Sequence, residues 1–151
     1  MSEIKKEIID FGKLLSKRSL SNTLFRRKLI EIFYYAKHSL SVDDILNFQN
    51  ISINSASVYR ALDSFEKNGL IHKVPDKKNV VKYALCRSDC SIEKHTHNHP
   101  HLLCSICNET FCLYDFKIPN VNNYRGYEIK NLNMIFEGSC INCNQTTDKI
   151  C

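Results

Sequence analysis

Two Cys-x-x-Cys pairs, Cys104 with Cys107 and Cys140 with Cys143, constrain this 151-residue chain more than any other feature. Two such knuckles, each entered from a strand, can close a tetrahedral four-thiolate site, and borderline-soft zinc is the ion such donors suit. A site closed by four protein ligands is structural. It supplies stability that a unit of roughly 50–60 residues cannot draw from its own core. Redox-active dithiols are the other use of Cys-x-x-Cys, but they call for a thioredoxin-like βαβ setting that the pattern lacks.

The rest of the composition divides the chain at the same place. All eight cysteines (Cys86, Cys90, Cys104, Cys107, Cys112, Cys140, Cys143 and Cys151) lie in the second half. Residues 1–85 carry 15 Lys and Arg against 9 Asp and Glu, a balance of +6. Residues 86–151 carry 6 against 7, a balance of −1. The first half suits a polyanion and the second does not. We therefore expect an α+β chain with a winged helix-turn-helix over 1–85, a hinge over 86–98 and a small α/β dimerisation domain with a four-cysteine zinc site over 99–151. No apolar run approaches the ~18–20 residues of a membrane span. The N-terminus lacks the pattern of a signal peptide. The expected setting is the cytoplasm, with no membrane partner.

In the first half, Ile4, Ile8, Phe11 and Leu15 follow helical spacing, and Ser16 to Asn22 reads as a loop. A second helix starts near Thr23, with Phe25, Leu29, Ile32, Phe33 and Ala36 as its apolar stripe. Ser41 caps a short third helix that buries Ile45, Leu46 and Phe48. The fourth helix starts at Asn54 and stops at Gly69, the residue type that takes a left-handed turn most easily. Val58, Leu62 and Phe65 share one side of it. Ser55, Ser57, Arg60, Ser64 and Lys67 make the other side small, polar or basic, as a helix lying in a DNA major groove requires. Tyr59 and Arg60 stand in its first half, the part that reaches base edges. Residues 70–85 then read as a hairpin, a wing whose Lys73, Lys77, Lys78 and Lys82 add positive charge.

In the second half, Thr110 to Phe116 reads as a strand and Ile118 to Tyr124 as a short helix. One or two further strands fall between Gly126 and Gly138. Ahead of the first knuckle, His95, His97, His99 and His101 recur on every second residue, so in a strand they share a face. A two-stranded wing brings His72, at its start, close to Cys86, at its end. His72, Cys86, His99 and His101 then form a second set of metal ligands, collected from both halves and the hinge.

These motifs resemble the ferric-uptake-regulator (Fur) superfamily of metal-sensing repressors across nearly the whole chain. The resemblance rests on Arg26 and the helix after it, Ala56-Ser-Val-Tyr-Arg-Ala-Leu62, Gly69-Leu-Ile-His-Lys-Val74, His99-Pro-His-Leu-Leu-Cys-Ser-Ile-Cys107 and Gly138-Ser-Cys-Ile-Asn-Cys143. It implies a homodimer whose winged helices bind a palindromic, AT-rich operator in double-stranded DNA. Tyr59 and Arg60 match the operator-contacting pair, with Ser57 beside them. Cys104, Cys107, Cys140 and Cys143 match the structural zinc ligands. Cys86 matches a cysteine of the zinc uptake regulators, so the resemblance implies regulatory zinc at His72, Cys86, His99 and His101.

Some positions depart from that pattern. A third family site would need ligands where Asn98 and Pro100 stand and a histidine after His101, and we expect it to be absent. Cys112 occupies a place that is acidic in many members, which makes it an alternative ligand or a core thiol. His97 is the other alternative ligand. The segment from Asp115 to Gly126 is shorter than usual, which implies a truncated dimerisation helix. The expected function is a zinc-responsive repressor of zinc uptake genes. An iron-, manganese- or peroxide-responsive regulator of the same family is the alternative. A zinc enzyme is disfavoured, because the deaminase pattern His-x-Glu with Pro-Cys-x-x-Cys is missing and no Glu adjoins a candidate ligand.

Overall fold

The computed structural model describes residues 9–48, 54–76, 80–86, 99–119, 121–130 and 132–147. Four helices come first: α1 (Phe11–Lys17), α2 (Leu24–Ala36), α3 (Val42–Asn47) and α4 (Ser55–Lys67). Each begins where a short polar side chain can accept from an orphan backbone N–H. Asp10 accepts from Lys13, Thr23 from Arg26, and Asn54 from Ala56. Ser41 and Asp44 form a reciprocal capping box on α3. The helix α1 runs on through Ser16 and Lys17, which the sequence placed in a loop. Ile4 and Ile8 lie outside the described residues.

One core holds these helices together. Leu15, Leu29, Ile30, Val58, Leu62, Phe65, Leu70 and Ile71 are all at most 1% exposed. Ile30 joins this core although the predicted stripe left it out. Phe48, expected inside, is 41% exposed at the end of α3. The six-residue α3 presents Val42 and Ile45 to the core, and Phe48 has already turned away. Gly69 ends α4 with φ at 70°, as its position predicted.

The wing consists of β1 (Ile71–Val74) and β2 (Lys82–Leu85), antiparallel, with His72 opposite Ala84. Leu40, between α2 and α3, exchanges two backbone hydrogen bonds of 2.8 Å with Tyr83. That bridge makes the wing and the helical core a single body. Lys77 and Lys78 lie outside the described residues.

The C-terminal unit is built on β3 (His101–Cys104), β4 (Thr110–Cys112) and β7 (Ile135–Gly138). The sheet order is β4-β3-β7, with β4 antiparallel and β7 parallel to β3. A helix, α5 (Ile141–Thr147), begins inside the second knuckle, carries Cys143 and was not foreseen. The predicted strand through Phe116 stops at Cys112. The predicted helix over 118–124 is not formed among the described residues. In its place β5 (Asn123–Tyr124) and β6 (Tyr127–Glu128) make a small hairpin. Pro119 biases Ile118 toward extended backbone, which leaves a helix only a few residues before the turn at Arg125. Arg125 and Gly126, with φ of 48° and 89°, form the tight turn that joins two such strands.

The core assignment has a direct measure in urea unfolding. Phe65→Ala, at a side chain with no exposure, is expected to cost about 3–5 kcal/mol. Phe48→Ala, at an exposed position, is expected to stay within roughly 0.5–1 kcal/mol.

Candidate metal centres and nucleic-acid interface

Two groups of metal-ligating side chains converge among the described residues, and both are built on the β3–β4 hairpin. The first is Cys104, Cys107, Cys140 and Cys143, whose sulfurs all lie within 4.8 Å of one another. Cys104 closes β3, and the chain turns back so that Asn108 N–H donates to the Cys104 carbonyl at 3.0 Å. Asn108 takes the left-handed conformation (φ 60°) that an asparagine tolerates. Ser105 N–H donates to Gly138 O, which lashes this turn to the end of β7 and brings the second knuckle alongside.

Cys107 and Cys140 have sulfurs 3.9 Å apart. Bonds of about 2.3 Å to a tetrahedral ion would set thiolates roughly 3.8 Å apart, so the donors stand at ligand spacing. Backbone N–H groups of Cys107, Cys140 and Ile106 point at the Cys104 sulfur and bring its pKa down to about 6. Cys143 goes the other way, to about 12, because it shares hydrogen bonds with Cys140 and the other thiols and is desolvated. One thiolate is thus stabilised by the knuckle itself, and the remaining thiols need a cation to ionise together.

The second group is His72, His99, His101 and Cys112, whose donor atoms also lie within 4.8 Å of one another. His101 and Cys112 are facing partners in the β3–β4 register. His99 lies two residues before His101, and His72 comes from the wing. Ring centroids are 4.9 Å apart for His72–His99, 4.9 Å for His99–His101 and 5.9 Å for His72–His101. Cys112 Sγ stands 3.5 Å from His72 Nε2, the separation expected of two ligands on one small cation. Burial, aided by the charge of neighbouring His101, pulls His99 down to about 4, so its ring is neutral at physiological pH as a ligand must be. Burial pushes the Cys112 thiol up to about 11. Three imidazoles and a thiol fit a borderline divalent ion in open or four-coordinate geometry.

Cys86 is placed differently from the sequence expectation. It does meet His72, but at the other ring nitrogen, with Sγ 3.4 Å from Nδ1. The four donors that converge include Cys112 and leave Cys86 outside. The reason is register: the turn at residues 105–109 sets Cys112 opposite His101, which the spacing of ligands along the sequence does not reveal. Tyr114 was missed altogether. Its ring lies 4.6 Å from that of His99, and its hydroxyl donates to Leu85 O at the base of the wing. His95, His97, Cys90 and Cys151 lie outside the described residues.

The face for nucleic acid is narrower than charge alone suggested. Tyr59 is 57% exposed on α4, and Arg60, also exposed, lies 3.4 Å from the Ser57 hydroxyl. Arg27 and Lys28 are exposed on α2. Arg26 instead donates to Ser64 Oγ and lies over the Phe65 ring, so it packs α2 on α4. Lys73 pairs with Glu66 at 3.0 Å. Lys82 turns inward to Asp76 and Glu109, with 12% of its side chain exposed. Pairing offsets the charge of both lysines, and Lys82 is also withdrawn from the wing's outer surface while Lys73 stays exposed.

Comparison with known proteins agrees with this fold. The Ferric uptake regulator family model matches residues 17–137. A ferric uptake regulation protein of Bordetella parapertussis is 26% identical over 142 residues, covering 87% of this chain and 94% of that protein. The ferric uptake regulator of Vibrio cholerae superposes with a TM-score of 0.60 at 20% identity, covering 87% of this chain and 100% of that one. A zinc uptake regulator solved in complex with zinc and DNA gives 0.59 at 19% identity, covering 90% and 91%.

The high pKa of Cys112 has a sign that calorimetry can read. A cation bound at this group displaces the Cys112 proton, whereas His99 has none to lose above about pH 5. With the four-cysteine group already loaded, affinity is expected to rise up to about tenfold per pH unit between pH 6 and 8 from this proton alone. Cys112→Ser should lose that increment. Equal pH slopes for the two proteins would contradict Cys112 as a ligand.

Proposed function

The chain belongs to the ferric uptake regulator family, and we propose that within it this protein is a zinc-responsive DNA-binding repressor of zinc uptake genes. The observation that carries the metal assignment is the thiol of Cys112 among three imidazoles. A thiolate donor favours zinc over iron(II) or manganese(II), which suit carboxylate and imidazole sets better. The regulatory ligands are His72, His99, His101 and Cys112, with Cys86 against the far side of His72. Cys104, Cys107, Cys140 and Cys143 hold the structural zinc. The name of the curated Bordetella parapertussis relative refers to iron, so an iron-responsive regulator is the second reading.

A bound zinc ion would supply coordinate bonds that join the wing to the β3–β4 hairpin. The protein's own residues do the rest. His72 projects from β1, one turn of chain after the recognition helix α4, so a fixed His72 fixes the helix that presents Ser57, Tyr59 and Arg60. His99, His101 and Cys112 project from the hairpin that also carries Cys104. Burial keeps His99 neutral and ready to coordinate. Ligand binding that differs between the joined and separated arrangements is the coupling energy, typically ~1–3 kcal/mol in such systems.

We read residues 1–85 as the DNA-binding domain, 86–98 as the hinge and 99–151 as the dimerisation domain. Homodimerisation fits the edge that β7 presents among the described residues, where Ile135 is 48% exposed and Phe136 meets Phe116 with ring centroids 5.1 Å apart. Two recognition helices related by a two-fold axis suit a palindromic operator. Nothing in the reading calls for catalysis. Among the described residues no helix is long and apolar enough to cross a membrane, and the cytoplasm is the setting we assign.

Zinc-titrated DNA binding tests this directly, using duplexes selected from a random pool by the zinc-loaded protein. Wild-type affinity is expected to rise at least about tenfold with the second equivalent of zinc per chain. Cys112→Ser and His72→Ala should lose that rise while keeping one zinc. Arg60→Ala should lose affinity, by about 1–3 kcal/mol for a base contact, and keep both zincs. A rise produced by Fe²⁺ but not by Zn²⁺ would favour the iron reading. Binding indifferent to all metals would defeat the regulatory assignment.

A further inference from the structure

We propose that Thr110 is the positioning residue through which the metal state of the hairpin reaches the winged helix, an inference that rests on the metal-responsive DNA binding proposed above. Thr110 is the first residue of β4 and has no exposure. Among the described residues, two of its hydrogen bonds reach across to the N-terminal unit. Its carbonyl accepts from Ser39 N–H at 2.9 Å, and its hydroxyl donates to Pro75 O at 3.0 Å. One side chain and its own backbone therefore grip the segment after α2 and the end of the wing strand β1 together.

The partners are rigidly tied to the recognition helix. Ser39 adjoins Leu40, which is bridged to Tyr83 of β2. Pro75 follows directly on β1, the strand that carries His72. The neighbouring Glu109 adds polar contacts to the same junction, 3.1 Å from His38 Nδ1 and 3.5 Å from Lys82 Nζ. Lys82 also donates to Asn108 O. These contacts are part-exposed and each is weak. Thr110 has no exposure, so displacement leaves its hydroxyl with no water to replace the bond.

Its place in the hairpin makes Thr110 a relay as well as a fastener. It faces Leu103, the neighbour of Cys104, and stands two residues before Cys112. A shift of the hairpin that accompanies ligand gathering at Cys112 must move Thr110 along the same strand. The winged helix is then held at the group around His72, at the Tyr114 bond to Leu85 O and at Thr110, and of these only Thr110, among the described residues, touches both the segment after α2 and the end of β1. Without the Thr110 bonds the winged helix can pivot about the wing base; with them the metal-bound arrangement has one orientation.

Thr110→Val keeps the shape and the backbone bond and removes the hydroxyl, and Thr110→Ser restores it. The measurement is affinity for the selected duplex at one and at two equivalents of Zn²⁺ per chain, with zinc content by chelator competition. Thr110→Val is expected to keep both zincs and to cut the gain from the second equivalent about tenfold, the size of one buried hydrogen bond. Thr110→Ser should recover most of the gain. A merely structural threonine would lower both affinities and leave their ratio alone, and an unchanged ratio overturns the proposal. Should Thr110→Val fail to hold zinc, Lys82→Met, Glu109→Gln and their double mutant read the same junction from its rim. Each should shrink the gain, with the double no worse than the stronger single, and a wild-type gain in all three overturns the proposal. A wild type that itself shows no gain defeats the functional reading instead, and this inference with it.

Discussion

The register of β3 against β4 is the constraint on which the candidate site depends. Pairing Leu103 with Thr110 forces His101 opposite Cys112, and with it the meeting of imidazole and thiol. A slip by one residue would send Cys112 to the opposite face and bring Phe111 or Leu113 in its place. What holds the register is the turn between the strands. Cys104 N–H donates to Glu109 O, Asn108 N–H returns to Cys104 O, and Cys140 N–H donates to the Cys104 sulfur. The four-cysteine group therefore does more than stabilise a small sheet. It sets the alignment of the second group at the far end of the same hairpin.

Where local chemistry decides structure, the sequence was easy to read. The cap at Ser41, the helix starts at Thr23 and Asn54, the stop at Gly69 and the pairing of knuckles each depend on a few neighbouring residues. The wing was legible for the same reason, since its two strands flank one turn. The choice between Cys86 and Cys112 was not legible. Both are thiols, and both approach His72, one at Nδ1 and one at Nε2. Which of them joins His99 and His101 depends on a strand register and on the seating of the hairpin against the wing. The helix expected at 118–124 failed for a different reason: the Arg125-Gly126 turn pairs Asn123–Tyr124 with Tyr127–Glu128 in a hairpin.

Charge was informative in sum and misleading in detail. The balance of +6 over residues 1–85 marks the half that carries the exposed face of α4. Individual basic residues within that half divide by environment. Arg60, Arg27 and Lys28 face outward, whereas Arg26 spans two helices and Lys82 fills a polar junction. A long cationic side chain can bury its stem and spend its charge inside, and the sequence alone gives no sign of which will do so.

The two ligand groups differ in a way that follows from topology. All four cysteines of the first group come from the end of β3 and the turn after it, and from the junction of β7 with α5, so their spacing is independent of where the wing lies. The second group takes His72 from the wing and its other three members from the hairpin and the residues just before it. Only a site whose donors straddle two bodies can bind more tightly in one arrangement than in another, and only differential binding moves an equilibrium. A group confined to one body is indifferent to where the wing lies, whereas a group that straddles two bodies answers to it. A sensor with a permanent structural site would need that division: the four-cysteine group filled in either arrangement, and the group around His72 filled in only one.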